Sequence, residues 1–321
     1  MKRRYILALP LLAAAPPLAS PALGQSWPAR PVRIVVPYPA GQGTDLFGRR
    51  FAEFYQRRFG QSFVVENRAG AGGNIGSAFV ARAEPDGHTL LWGTNASHAA
   101  NEFMFSSLGF DPVADFSPIA AILSLGMVLY TGQETPLRSL ADLLVAARAR
   151  PGQISIGVPS TTARVTTEIL RRAGGIELQQ VPYSGSAQAL TGALRGDVQG
   201  VVDTIASSLG QVQGGRIRPI GVSLGRRSGS LPDVPTFREQ GVDAEVTAWN
   251  AFYAPKGTPP EIVRMLNEAS NAALTDAELR AGVIRGGAEP LGGTPEDLLE
   301  LMRTDRAKWQ PVIESLGLRA S

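Results

Sequence analysis

Cysteine is absent from the 321 residues and histidine occurs only twice. The first absence excludes a disulfide framework, a thiolate metal site, a cysteine nucleophile and a lipid-modified N-terminal cysteine. The second leaves His88 and His98, neither in a zinc-binding spacing such as H-E-x-x-H. There is no G-x-S-x-G elbow, since Ser184 and Ser186 in Tyr183-Ser184-Gly185-Ser186 lack the flanking glycines. Gly41 to Asp45 lacks the lysine of a P-loop, and Gly70 to Gly76 misses the third glycine of a dinucleotide fingerprint by one position. Neither a metal nor a cofactor is expected. His88, in Pro85-Asp86-Gly87-His88, reads as a partly buried structural residue at the start of a strand. A dispersed triad built on His98 is the enzymatic alternative.

Beyond the N-terminus no apolar run is long enough to span a bilayer. The N-terminus itself reads as a secretory leader over residues 1–24. Lys2, Arg3 and Arg4 precede the apolar run Tyr5 to Ala15, and Ala22-Leu23-Gly24 supplies small residues before a cut near Gln25. Pro10, Pro16 and Pro17 argue against a buried helix there. Arg3-Arg4 leaves the export route open between the general and the twin-arginine pathways. Of the 31 basic residues three lie in this leader, leaving 28 against 28 acidic ones. No basic tract remains to follow a phosphate backbone, so neither nucleic acid nor a membrane surface is an expected partner. Localisation outside the cytoplasm is expected.

The rest of the chain alternates strands and helices. Strands are expected at 32–36, 63–66, 88–92, 154–157, 178–182, 198–202 and 217–223. Helices are expected at 44–59, 75–83, 137–148, 165–173, 187–194 and about 207–212, with Thr44 as the N-cap of the first. The last third reads as helices at 260–273 and 294–316 with few strands between them. Such alternation implies an α/β fold, with mostly parallel sheets flanked by helices. Two extended apolar segments, 118–131 and 246–255, read as crossings between two domains, one discontinuous (25–126 plus 249–321) and one continuous (127–248). A single doubly wound sheet is the alternative.

Three Gly- or hydroxyl-rich turns follow strands and open helices: Ala40 to Asp45, Gly70 to Asn74, and Ser160-Thr161-Thr162. Each would present free backbone N–H groups and a helix's positive end to a small anion. Each alone is also what a tight turn requires. Together, from two domains, they point to binding of a carboxylate.

These residues carry a resemblance. Trp27-Pro28-Ala29-Arg30-Pro31-Val32-Arg33 with Val36-Pro37-Tyr38-Pro39-Ala40-Gly41-Gln42-Gly43-Thr44-Asp45 is similar to the opening of the Bug-type periplasmic receptors of tripartite tricarboxylate transporters. So are Val65-Glu66-Asn67-Arg68-Ala69-Gly70-Ala71-Gly72-Gly73-Asn74-Ile75-Gly76, Pro85-Asp86-Gly87-His88, Val181-Pro182-Tyr183-Ser184-Gly185, Leu231-Pro232-Asp233-Val234-Pro235-Thr236 and Ala254-Pro255-Lys256-Gly257-Thr258-Pro259. The resemblance spans nearly the whole chain after the leader. It implies the two-domain periplasmic binding protein fold (type II), with the ligand in a cleft between domains. It also implies a monomeric receptor that binds a di- or tricarboxylate, an acidic amino acid or an aromatic acid and delivers it to large and small integral-membrane subunits.

For the site, the resemblance implies that the loops Tyr38 to Asp45 and Gly157 to Arg164 hold one carboxylate. It implies that Gly73, Asn74, Thr94, Asn95, Tyr183, Ser184, Asp203 and Thr204 line the cleft. Three departures stand out. Gln42 replaces a glycine, and its amide would either donate to the ligand or simply tolerate the turn. The loop from Ser160 to Arg164 is short and glycine-poor. Arg164 replaces a histidine, and reads either as a contact to a distal carboxylate or as a solvated helix-start arginine. Asp45 is ascribed to the helix dipole, and Asp203 to a turn cap, a water ligand or an ammonium partner. A receptor presenting its ligand to a sensor kinase, and an exported hydrolase, are the competing functions.

Overall fold

A computed structural model describes residues 27–317; the leader therefore lies outside the described residues. The first part runs β1 (Val32–Val36), α1 (Gly43–Phe59), β2 (Phe63–Asn67), α2 (Asn74–Ala81), β3 (Thr89–Thr94) and the short α3 (Asn101–Met104), then β4 (Phe116–Gly132). The middle part runs α4 (Leu140–Ala149), β5 (Ser155–Val158), α5 (Thr161–Ala173), β6 (Gln179–Pro182), α6 (Ser186–Arg195), β7 (Gly200–Thr204), α7 (Ile205–Gln213) and β8 (Ile217–Val222). It returns through β9 (Thr247–Pro255) to α8 (Pro260–Thr275), α9 (Ala277–Arg285), β10 (Ala288–Pro290) and α10 (Pro295–Leu316).

The strands form one curled mixed sheet in the order β2-β1-β3-β9-β4-β7-β5-β6, with β8 and β10 also paired to β4. At its two ends the ladders are parallel, β1 with β2 and β3, and β5 with β6 and β7. Helices cross over between them, as the alternating sequence requires. The two long apolar segments run antiparallel through the middle. β4 pairs with β9 from Phe116 to Gly126 and with β7 and β8 from Met127 onward. Each half of the sheet thus has its own neighbours, and β4 belongs to both.

Packing follows the same division. The first half buries Phe47, Phe51 and Tyr55 of α1 against Trp92 and Phe252. Burying an aromatic side chain of this kind contributes on the order of 1.5–3 kcal/mol. The second half buries Leu140, Leu143, Ile156 and Leu170 on one face of the sheet and Val128, Tyr130 and Val201 on the other. α10 reaches across, its Trp309 and Ile313 packing with Val165 of α5.

Several expected boundaries shift. β7 starts and ends two residues later than expected and carries Asp203 and Thr204, which pair with Val128 and Met127 of β4. Polar residues at a strand's carboxyl end read as loop until a neighbouring strand takes their backbone groups. The cap of α1 is Gln42 rather than Thr44, which lies inside the helix. α9 and β10 were not expected; β10 is three residues long and exists through its pairing with β4.

Candidate functional site

The carboxyl ends of β1 and β3 deliver Tyr38 and Thr94 to the edge of the first half, and the turn after β1 starts α1 there. Gly41 holds that turn with φ of 84°, a left-handed conformation that favours glycine. From the second half, β5 leads into α5, whose cap Ser160 accepts from Ala163 N, and β7 leads into α7, whose cap Thr204 accepts from Ser207 N. The amino ends of α1, α5 and α7 therefore meet at one place. The first N–H groups of each helix have no intrahelical partner and carry the positive end of its dipole.

They enclose a cavity of about 30 Å³, lined by Tyr38, Gln42, Gly43, Thr44, Thr94, Asn95, Ser160, Thr162, Asp203, Thr204 and Asn250, with Leu125 and Ala248 as apolar wall. No lysine, arginine or histidine is among them. The halves touch directly around it. Gln42 Nε2 donates to Pro159 O at 3.3 Å, Gly43 N to Ser207 Oγ at 2.9 Å, and Asn95 Nδ2 to Thr162 Oγ1 at 3.5 Å. Gln42 is thus a strap across the cleft, a role neither sequence reading offered.

Outside this cavity lies a second, of about 300 Å³, sharing Tyr38, Gln42 and Ser160 with the first. Gly73, Thr161, Arg164, Tyr183 and Ser184 line it, with the 70–72 turn and Phe105. Arg164 is the one cation on either wall.

Four expected site residues line neither cavity. Ala40 and Gly41 are exposed on the outer side of the turn. Asp45 turns back on its own loop, accepting from Gly41 N at 2.9 Å, Arg49 and Asn67. Burial pulls its carboxyl upward, but Arg49, the Gly41 N–H and Asn67 together outweigh it and hold it below the usual carboxylate range. It braces the loop rather than facing a ligand. Asn74, buried at the start of α2, accepts from Asn101 Nδ2 at 2.7 Å. Conversely, Asn250 on the inner cavity wall was missed, as was Ser207, which lines neither cavity but accepts from Gly43 N. Asn250 is the lone amide in the apolar strand Thr247–Pro255, a signal the sequence did carry.

The electrostatics are those of neutral donors around one acid. Burial pushes Tyr38 up to about 12, against the Thr94 hydrogen bond at 2.9 Å, so its hydroxyl stays neutral. Burial likewise pushes Asp203 up to about 6, against the pull of the Ser186 hydroxyl and the Thr204 N–H. His98 lies elsewhere. It is fully buried, stacks on Tyr253 with ring centroids 3.9 Å apart, and burial holds it down near 3. Ser97 Oγ is 2.8 Å from its Nδ1, but Ser97 is buried too, so the pair lines neither cavity and forms no accessible nucleophile. His88 is buried beside Asp86 and Trp27, as a structural residue.

Residues 47–318 match the model of the tripartite tricarboxylate transporter family receptor, TctC. The chain belongs to that family. Receptors of the family bind solutes and are not enzymes. Protein BugT of Bordetella pertussis is 30% identical over 98% of this chain and 98% of its own. Among solved structures, Rpa4515 of R. palustris, determined with adipate, is 36% identical over 91% of this chain and 98% of its own, with a TM-score of 0.88. MatC of Rhodopseudomonas palustris, determined with bound malate, is 29% identical over 89% of this chain and 100% of its own, with a TM-score of 0.83. This TctC receptor therefore shares the periplasmic binding protein fold of relatives that hold small carboxylates.

Proposed function

We propose that the protein is a periplasmic receptor that captures a small organic acid and passes it to a transporter with large and small integral-membrane subunits. It acts as a monomer with two lobes, residues 25–126 plus 249–321 and residues 127–248. The inner cavity receives one carboxylate of the ligand, and the outer cavity receives the rest. The single observation that carries this reading is the meeting of three helix amino ends from both halves around a cavity without a cation. Helix ends in opposite lobes gain from the same anion only when the cleft is shut. A carboxylate therefore favours the closed state by its differential affinity, and the population shifts accordingly. Adipate and malate in the relatives' structures make aliphatic dicarboxylates the first class to test. Among the described residues no helix is long and apolar enough to cross a membrane, which accords with a receptor that meets its transporter from outside.

A thermal-shift screen of the purified protein against mono-, di- and tricarboxylates, acidic amino acids and aromatic acids tests the reading. A receptor's melting temperature rises with ligand concentration, and the ligand is recovered unchanged. No shift with any acid, or turnover of one, would remove it.

A further inference from the structure

A cavity built for an anion contains a buried acid. Asp203, the last but one residue of β7, lies at the cavity wall and is 3% exposed. Its Oδ1 accepts the Thr204 N–H at 2.7 Å, while Oδ2 is buried without a partner. The elements packed around it supply no neutralising cation. β5 and α7 hold no charged residue. β4 contributes Tyr130, whose hydroxyl burial raises further above its ordinary value, the Asp203 charge adding to the effect. α6 contributes Ser186 at its near end, whose hydroxyl pulls the Asp203 carboxyl downward without outweighing burial, and Arg195 at its far end. On α5, Glu168 is paired with Arg171, Arg172 bonds Ser315, and Arg164 lines the outer cavity. The other titratable group of the inner cavity is Tyr38, which is neutral.

An ionised Asp203 would face the ligand's carboxylate with no cation on the cavity wall to neutralise either charge, and two carboxylates sharing a site do not both ionise. We propose that Asp203 holds the ligand as a protonated acid, Oδ2–H donating to a ligand carboxylate oxygen, so that capture takes up one proton from solution. The inference rests on the carboxylate-receptor reading above. Burial already prepares the acid for this, lifting it to about 6 before any ligand arrives. The competing role, an ionised Asp203 paired with a ligand ammonium, is opposed by the three helix amino ends, whose positive poles repel a cation.

The consequence is a pH-dependent affinity. Above the free protein's Asp203 titration the association constant falls about tenfold per pH unit, and below it the affinity levels off. Isothermal titration of the purified protein with adipate and with malate, in buffers of different protonation enthalpy, counts the protons directly and needs no variant. The expected result is about one proton taken up per ligand at about pH 7.5. Asp203→Asn, whose amide donates in place of the acid, should bind with no proton uptake and a flat pH profile.

Zero uptake by the wild type overturns the proposal. So does an Asp203→Asn protein that keeps the pH slope, or aspartate bound more tightly than malate with an affinity that rises with pH. Failure of every carboxylate to bind, down to about pH 5 where the acid is protonated, would instead remove the receptor reading and this inference with it.

Discussion

A Cβ placed on Gly43 would lie 2.6 Å from Thr204 Oγ1, across the cleft between the two halves of the sheet. Gly43 is the first residue of α1 and Thr204 caps α7. The requirement for glycine is therefore the close approach of two helix starts, not a turn conformation. Gly43→Val should fold, with its unliganded melting temperature within about 4 °C of the wild type. It should lose the ligand-dependent shift, and small-angle scattering should show no compaction on adding adipate. A normal shift in this variant would sink the closure geometry.

Gln42 donates to Pro159 O from the opposite half and is 6% exposed. Gln42→Ala removes one net hydrogen bond, about 1 kcal/mol, or roughly a fivefold loss of affinity. Gln42→Glu sets an acceptor against the Pro159 carbonyl and a charge near the anion, and should weaken binding by about a hundredfold, the repulsion adding to the lost bond. Equilibrium titration with adipate decides the ranking. Equal affinities for the Glu variant and the wild type would refute the strap.

Arg164 is the cation of the outer cavity. A charge-assisted hydrogen bond is worth about 1.5–3 kcal/mol, so Arg164→Gln should weaken a long dicarboxylate such as adipate by at least about tenfold. A monocarboxylate of similar length, hexanoate, should lose little. If both ligands weaken equally, or neither does, Arg164 is only a solvated helix-start residue.

Two buried groups give unliganded stability opposite pH slopes. Asp203 is raised from 3.8 to about 6 by burial, so the folded state holds its proton more tightly than the unfolded one. Its penalty is full above about 6 and disappears below the unfolded value, amounting to roughly 3 kcal/mol. Asp203→Asn should therefore be the more stable protein at about pH 8, with the gap closing on acidification. His98 is lowered from 6.5 to about 3 by burial, so its favourable contribution is present above 6.5 and is lost as pH falls toward 3. His98→Phe keeps the stack on Tyr253 and loses the Ser97 bond, and its urea midpoint should fall less between about pH 7 and 4.5 than the wild type's. Parallel acid limbs for wild type and variant would rule out the His98 assignment.

Much of the architecture was legible because β-branched runs such as Val32 to Val36 and the helical spacing of Phe47, Phe51 and Tyr55 encode local geometry and burial together. β10 and the last two residues of β7 were not, because Glu289, Asp203 and Thr204 become strand only when β4 supplies the partner backbone. At the site, the hydroxyl- and glycine-rich turns were readable as helix starts. Asn74 reads as a cleft residue and Asp45 as a helix-dipole partner in the loop that holds the ligand, yet Asn74 is held by Asn101 and Asp45 by Arg49 and Asn67. Side-chain direction depends on such partners, and they lie 4 to 27 residues away.

By itself, the sequence determined the alternating α/β pattern, the turns that free backbone amides, and membership in the tripartite tricarboxylate transporter receptor family, since these depend on local spacing and residue type. Only the tertiary structure decided that α1, α5 and α7 point at one cavity, that Gln42 bridges the halves, and that Asp203 is desolvated inside it. Those properties arise from β4 and β9 bringing distant segments together, and burial, contact and charge are functions of distance in space rather than along the chain.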